Sequence, residues 1–317
     1  MDEDGVFAIQ ADVRGPWRKF IDDLAPLRPD LLRYCCGLTG NLWDGEDLLQ
    51  DALVRVFGQL GKANIDLVHP RAYLVRTATN LWVDRLRRAN LERAYVAAEQ
   101  AAPPPDSPQP GQAIDVRTAA SALFLTLPPR ERAAVLLSDV LDFSLQETAS
   151  MLKTTVGAVK SALHRGRSRL RVADAAPAPT SPVPRELVDR FVTALSTRDI
   201  EALRALCVAD VTVDMVGGAR FDGFEASKVT FHYAHVVDLA RGFGESPHWR
   251  VAEYRGEPIA IGFRTLDGVD GLNEIWRLEV GDGGVTTLRL YCFSPDVLAA
   301  VARELGVPAL RRPYLSP

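Results

Sequence analysis

The sequence predicts a multidomain protein in which two all-α domains, the second a helix-turn-helix, are followed by an α+β domain. Three observations carry this expectation. Up to residue 171 apolar residues recur at helical spacing, whereas beyond residue 184 short apolar runs alternate with polar residues and are broken by glycines. Two proline-rich stretches divide the chain, with five prolines between 98 and 115 and four between 174 and 184. The expected organisation is a helical domain at 1–97, a linker at 98–115, a helix-turn-helix domain at 116–173, a second linker at 174–184 and an α+β domain at 185–317.

The first domain offers three helices. Leu27 to Leu38 is one, and Asp44 to Leu60 is a second, with Leu48, Leu49, Ala52, Val56 and Leu60 inward and Asp44, Glu46, Asp47, Gln50 and Asp51 outward. Carboxylates near a helix start are favoured by the macrodipole, so this reads as an acidic exposed face. A third helix begins at Pro70, a residue suited to a first helical turn, and places Leu74, Ala78 and Leu81 on one side. Its far end is basic and aromatic together: Trp82 lies near Arg85, Arg87 and Arg88, with Asn80 and Asp84 beside them. Such a combination stacks an unpaired base while holding its backbone. Trp82 alone reads equally well as a core aromatic.

Residues 128–171 carry the most specific pattern. Ser144 followed three residues later by Glu147 is a capping box, after which Leu145, Thr148, Ala149 and Leu152 share one helical face. Lys153, Thr154 and Thr155 make a polar turn in which Thr155 can cap the next helix, and Val156, Val159, Leu163 and Leu170 form that helix's inner stripe. On its outer side Gly157 and Ala158 allow close approach to a groove, while Lys160, Ser161, His164 and Arg165 project toward base edges and phosphates. Between 153 and 171 there are six Lys or Arg, Arg167 among them, and no acid.

Composition is that of an ordinary globular chain, 47% hydrophobic and 25% charged over 317 residues, which excludes fibrous and disordered classes. The net charge of −4 resides in the C-terminal part: residues 1–174 hold 22 basic and 22 acidic side chains, the remainder 15 and 19. Local basic patches are what would meet phosphate. Four cysteines, two of them adjacent at Cys35 and Cys36, match neither a metal-ligand spacing nor a disulfide framework. The acidic start MDEDG and the lack of an apolar run of bilayer length lead to the expectation of a cytoplasmic protein without membrane insertion.

DGEDLLQDALVRVFGQL, then HPRAYLVRTATNLWVDRLRR, a linker, and PPRERAAVLLSDVLDFSLQETASMLKTTVGAVKSALHRGRSRLR resemble the two-domain core of extracytoplasmic function (ECF) sigma factors of bacterial RNA polymerase. The resemblance spans most of residues 25–172, with two separate motifs in the family's order. It implies that Asp44, Glu46, Asp47, Gln50 and Asp51 dock on core polymerase, and that Asn80, Trp82, Asp84, Arg85, Arg87 and Arg88 read and open the promoter element near the start site. Thr155, Gly157, Lys160, Ser161, His164, Arg165 and Arg167 then belong to the helix that reads the upstream element. The implied partners are core RNA polymerase and promoter DNA; no cofactor and no covalent step are implied.

After residue 184 two short helices, Pro184 to Leu195 and Asp199 to Leu206, precede the strand-like runs VTVDMV, AIGFRTLD, NEIWRLEV and TTLRLYCF. Helices first and then DVTVDMVGGARFDG resemble the start of a SnoaL-like cone-shaped domain, which some sigma factors of this class carry as a fused regulator in contact with the sigma core or linker. Asp214, His232, Tyr233, His235 and Trp276 are candidates to line its pocket. His232 and His235 lie three apart, as helical metal ligands can, but no third ligand accompanies them, so no metal is expected. Two alternatives remain at this level: the pocket senses a small molecule, or it is an enzyme of the SnoaL-like kind.

Overall fold

A computed structural model of the chain describes residues 19–63 except 21–22, 69–99, 126–170, 183–227, 230 and 247–310 except 267. The chain divides into two compact units, Met1–Pro177 and Ala178–Pro317, with the division inside the second proline-rich stretch.

In the first unit α1 (Arg28–Thr39) ends at Gly40, whose φ of 94° is the left-handed conformation that closes a helix without steric cost. Asn41 then opens α2 (Leu42–Ala63), its side-chain oxygen accepting from the Asp44 N–H at 2.8 Å. Leu48, Leu49, Ala52, Leu53 and Val56 are at most 1% exposed, a stripe wide enough to hold α2 against both neighbours. Gly45 lets α1 and α2 touch: a Cβ there would lie 2.6 Å from the Cys36 sulfur and 2.8 Å from its backbone nitrogen. From Pro70, α3 runs to Glu99, taking in the first two residues of the expected linker, and buries Leu74, Val75 and Ala78. The Tyr34 and Thr79 hydroxyls meet at 2.6 Å in the interior between α1 and α3, where burial pushes the Tyr34 phenol far above its ordinary pKa.

The helix-turn-helix segment comprises α4 (Pro129–Val135), a π-helical turn (Leu136–Val140), α5 (Leu145–Met151) and α6 (Val156–Leu170). The capping box forms as the spacing predicts: Glu147 N–H donates to the Ser144 hydroxyl oxygen at 3.2 Å, and Ser144 N–H to the Glu147 carboxylate at 2.8 Å. The Ser144 hydroxyl, which donates to the Glu147 carboxylate at 2.7 Å, and the Ser144 N–H together hold that carboxyl below its usual pKa. Lys153 takes the positive φ of the turn, 50°, and Thr155 caps α6 by accepting from Ala158 N–H at 3.2 Å. Leu127, Ala134, Val135, Ala149, Val159, Ala162 and Leu163 form the core beneath.

The second unit is α+β, as expected. Helices α7 (Arg185–Thr197) and α8 (Ile200–Leu206) precede strands β1 (Cys207–Met215), β2 (Arg220–Asp222), β3 (His248–Tyr254), β4 (Glu257–Leu266), β5 (Val269–Gly281) and β6 (Gly284–Tyr291), and α9 (Pro295–Leu305) follows. The six strands form one sheet in the order β2-β1-β6-β5-β4-β3, antiparallel except where β1 runs parallel to β6. One face packs on α7 and α8, with Phe191 edge-on to Trp276 at 5.6 Å among Val188, Leu195, Leu203, Val213 and Leu288. Ile259, Ile261 and Ile275 alternate with Ala260 and Trp276, are fully buried as well, and α9 packs against β5 and β3, so both faces are covered.

Three of these elements are absent from the sequence reading. β2 is three residues long, and β3 is an edge strand in which exposed His248, Arg250 and Glu253 interrupt Trp249, Val251, Ala252 and Tyr254. α9 is bounded by Pro295 in its first turn and by Gly306 in the left-handed conformation after it.

A glycine fixes how β3, β4 and β5 meet. A Cβ on Gly262 would lie 2.5 Å from Glu274 Cγ and 2.7 Å from Trp249 Nε1. Gly262→Ala is therefore expected to destabilise the second unit by about 1–3 kcal/mol through overpacking, read as an earlier thermal transition in tryptophan fluorescence.

Candidate nucleic-acid interface

Exposed carboxylates do line the start of α2, but fewer than the sequence suggests. Asp44 and Asp51 are exposed and Asp47 is half-buried, whereas Glu46 is 0% and Gln50 8% exposed. The outward placement expected for Glu46 and Gln50 is thus corrected. Arg28 at the start of α1 is itself buried and donates to Glu46 Oε1 at 2.6 Å, and the Gln50 amide donates to the same oxygen at 2.7 Å. A buried charge is costly unless it is paired and hydrogen-bonded, and one turn of α2 supplies both a carboxylate for Arg28 and the amide that steadies it. Asp44, Asp47 and Asp51 remain as the acidic surface, continued along the helix by exposed Val54 and Arg55.

On α3, Asp84, Arg87 and Arg88 are exposed, and Asn80 and Arg85 are half-buried. Arg85 pairs with Asp51 across the α2–α3 seam, and Arg87 approaches Asp84 at 3.5 Å. Trp82 is 5% exposed, which realises its core reading. The Arg132 guanidinium of α4 lies over its ring, 5.8 Å from the centroid. Arg132 also donates to the backbone carbonyls of Leu38 at 2.6 Å and Leu127 at 3.1 Å. In this arrangement the indole face is occupied by a cation rather than open to a base.

The outer face of α6 presents Lys160, Ser161 and His164, all exposed. The Ser161 hydroxyl donates to the Gly157 carbonyl at 3.0 Å, which leaves its oxygen free to accept. Lys160, His164 and Arg167 line one side of a groove of about 650 Å³ whose other side is the π turn and the start of α5, with Ser138, Asp139 and Phe143. Thr155 is exposed but already engaged as the cap. Gly157 is exposed, and a Cβ there would have Thr155 Oγ1 as its nearest neighbour at 3.9 Å, so nothing inside the protein demands a glycine. Two carboxylates that the sequence reading did not weigh complete the picture. Arg165 Nε donates to Glu131 Oε1 at 2.8 Å, and Arg167 forms a fork on Asp139 at 2.7 and 2.9 Å. Their signal was present in the PPRERAAVLLSDV segment, but only the contact of α4 with α6 reveals it.

In the second unit the two described pocket candidates, Asp214 and Trp276, do not converge. Trp276 is fully buried and donates its indole N–H to Glu274 Oε1 at 3.1 Å; Trp249 donates to the same oxygen. Asp214 alternates along β1 with Val213 and Met215, which share the core of Trp276, so Asp214 belongs to the opposite face. The expectation that Asp214 and Trp276 line one pocket is corrected by this alternation. His232, Tyr233 and His235 lie outside the described residues. Glu274, within the strand-like run NEIWRLEV, and Trp249, on the unexpected strand β3, are buried polar partners that the sequence does not single out.

Two predictions follow from this geometry. Glu46→Ala leaves the buried Arg28 charge uncompensated and is expected to cost about 3–5 kcal/mol in urea unfolding, while the double change Arg28→Met, Glu46→Leu recovers most of that loss. Gly157→Ala is expected to leave the melting temperature unchanged or slightly raised, because Ala is the better helix former by about 0.5–1 kcal/mol. If the helix start approaches a groove closely, the same change weakens duplex binding measured by anisotropy.

Comparison with known proteins agrees with both helical segments. The family description Sigma-70 region 2 matches residues 24–92, and Sigma-70, region 4 matches residues 117–170. The ECF RNA polymerase sigma factor SigG of Mycobacterium tuberculosis is 34% identical over 224 residues, covering 60% of this chain and 59% of that protein. The RNA polymerase sigma-E factor of Streptomyces avermitilis is 36% identical over 149 residues, covering 44% of this chain and 76% of that protein. The crystal structure of the M. tuberculosis extracytoplasmic function sigma factor SigJ is 22% identical and covers 88% of this chain and 98% of its own, with a TM-score of 0.34. The match spans about three-fifths of the length of the first of these curated relatives. With both regions in order and more than three-quarters of the Streptomyces relative matched at 36% identity, the chain belongs to the ECF family of RNA polymerase sigma factors.

Proposed function

We propose that the chain is an alternative sigma factor that binds core RNA polymerase, recognises two promoter elements and promotes strand opening, and that its SnoaL-like C-terminal domain modulates this activity. The observation that carries the reading is the capped helix-turn-helix whose exposed face holds Lys160, Ser161 and His164, in one compact unit with the acidic start of α2 and the basic end of α3. Asp44, Asp47 and Asp51 offer a negative surface to a basic partner on polymerase, and Asn80, Asp84, Arg87 and Arg88 offer polar and cationic groups to the start-site-proximal element. Such a factor performs no covalent step; binding energy to polymerase and to unstacked bases supplies the few kcal/mol that each unstacked step costs. It works where polymerase and chromosome are, in the cytoplasm. Contact of the C-terminal domain with the sigma core or the 174–184 linker is the proposed route of modulation.

Strand opening requires a base platform, and Trp82 serves as one only after Arg132 leaves its face. Trp82→Ala is accordingly expected to slow transcription from duplex promoters while mattering little on a pre-melted template. An equal loss on both points to a purely structural tryptophan. The reading as a whole is tested by run-off transcription from genomic DNA with core polymerase, comparing the full chain with residues 1–177. Discrete new transcripts support it, and a difference between the two proteins gives the sign of the C-terminal effect. No polymerase-dependent transcript from either protein overturns it.

A further inference from the structure

The six cations of residues 153–171 look, in the sequence, like an unopposed basic helix. In the fold three of them are already engaged. Gly166 sits at the centre of the α4–α6 contact, where a Cβ would lie 2.9 Å from Val135 Cγ2 and 3.5 Å from the Glu131 carbonyl oxygen. The close seat brings the flanking guanidinium groups to α4 and the π turn. On one flank Arg165 and Arg169, one helical turn apart, reach the two oxygens of Glu131 at 2.8 and 3.3 Å. On the other flank Arg167 forms its two-point fork with Asp139. The Glu131 side chain is 7% exposed, so it is fixed by packing, whereas the three arginines are half exposed. Lys153 and Lys160 carry no carboxylate contact of this kind among the described residues.

We infer that Glu131 and Asp139 are specificity-determining residues: by engaging Arg165, Arg167 and Arg169 they withdraw three cations from sequence-independent phosphate binding and leave discrimination to Lys160, Ser161 and His164. This rests on the sigma-factor reading. A guanidinium held on a carboxylate releases few counterions when DNA arrives, whereas each free cation that meets a phosphate steepens the dependence of log K on log salt by about 0.9. Weak backbone attraction favours the promoter over the excess of random sequence.

The test uses the full chain with core polymerase, a fluorescein-labelled random-sequence duplex and the promoter duplex recovered by run-off transcription, with anisotropy followed from about 50 to 200 mM KCl. Asp139→Asn is expected to tighten binding to the random duplex several-fold, to steepen its salt slope by about 0.9, and to lower the promoter-to-random ratio. Glu131→Gln steepens the slope by up to about 1.8, since it frees two arginines. Asp139 is the decisive position because its partly exposed side chain can change without unfolding the core, and melting curves verify this. A slope in Asp139→Asn that is unchanged or shallower, with normal wild-type promoter preference, overturns the inference alone. So does Arg167→Ala lowering the wild-type slope as much as it lowers that of Asp139→Asn. A wild-type chain that shows no promoter preference with polymerase overturns the sigma reading, and this inference with it.

Discussion

One buried guanidinium holds the first unit together. Arg132 belongs to α4, yet it donates to the carbonyls of Leu38, in the last turn of α1, and of Leu127, before α4 begins. The carbonyls of a final helical turn have no partners within their own helix and carry the negative end of its dipole, so a cation there answers both needs. Burial lowers the Arg132 pKa from its ordinary value without threatening the charge. Gly37 of α1 completes the seat, since a Cβ there would meet the Leu136 side chain at 3.0 Å. Taking the α1–α3 segment and the helix-turn-helix apart would therefore uncover Trp82, a helix end and a desolvated charge at once.

The second unit is organised around a carboxylate instead. Glu274 accepts from two indoles, Trp276 on its own strand β5 and Trp249 on β3, a concentration of polar chemistry inside an otherwise apolar sheet that is tolerable because both donors are aimed at it. The cost is geometric: the strand between them needs a residue with no side chain, and Gly262 is that residue. Elsewhere on the sheet Arg277 and Arg289 stand directly opposite one another in the β5–β6 ladder. Their repulsion is offset by Glu257, which pairs with Arg277, and by Glu279, which pairs with Arg289.

What the sequence reveals divides along the range of the interaction concerned. The Ser144–Glu147 box, the Thr155 cap and the Val159–Leu163 stripe depend on neighbours three to four residues away, and all are found as read. Glu46 and Gln50 read as surface groups because the charge that draws them inward, Arg28, lies on another helix. The same holds for Arg165 and Arg167, whose carboxylates are 34 and 28 residues away. Asp214 and Trp276 belong to different strands, so the face each occupies follows only once the register of β1, β6 and β5 is known. Family resemblance supplied roles for many positions, but not the burial that decides which are available.

The parallel pairing of β1 with β6 has a consequence in time. Cys207 to Met215 cannot take its place in the sheet until Val285 to Leu290 exist, so the second unit's central ladder closes late in synthesis. At about 5–20 residues per second the ribosome needs on the order of ten seconds to travel that distance. The helical unit, rich in local contacts, closes in far less time than that. Every newly made molecule thus passes through an interval in which the helical unit stands finished while β1 waits, unpaired on one side, for a strand not yet translated.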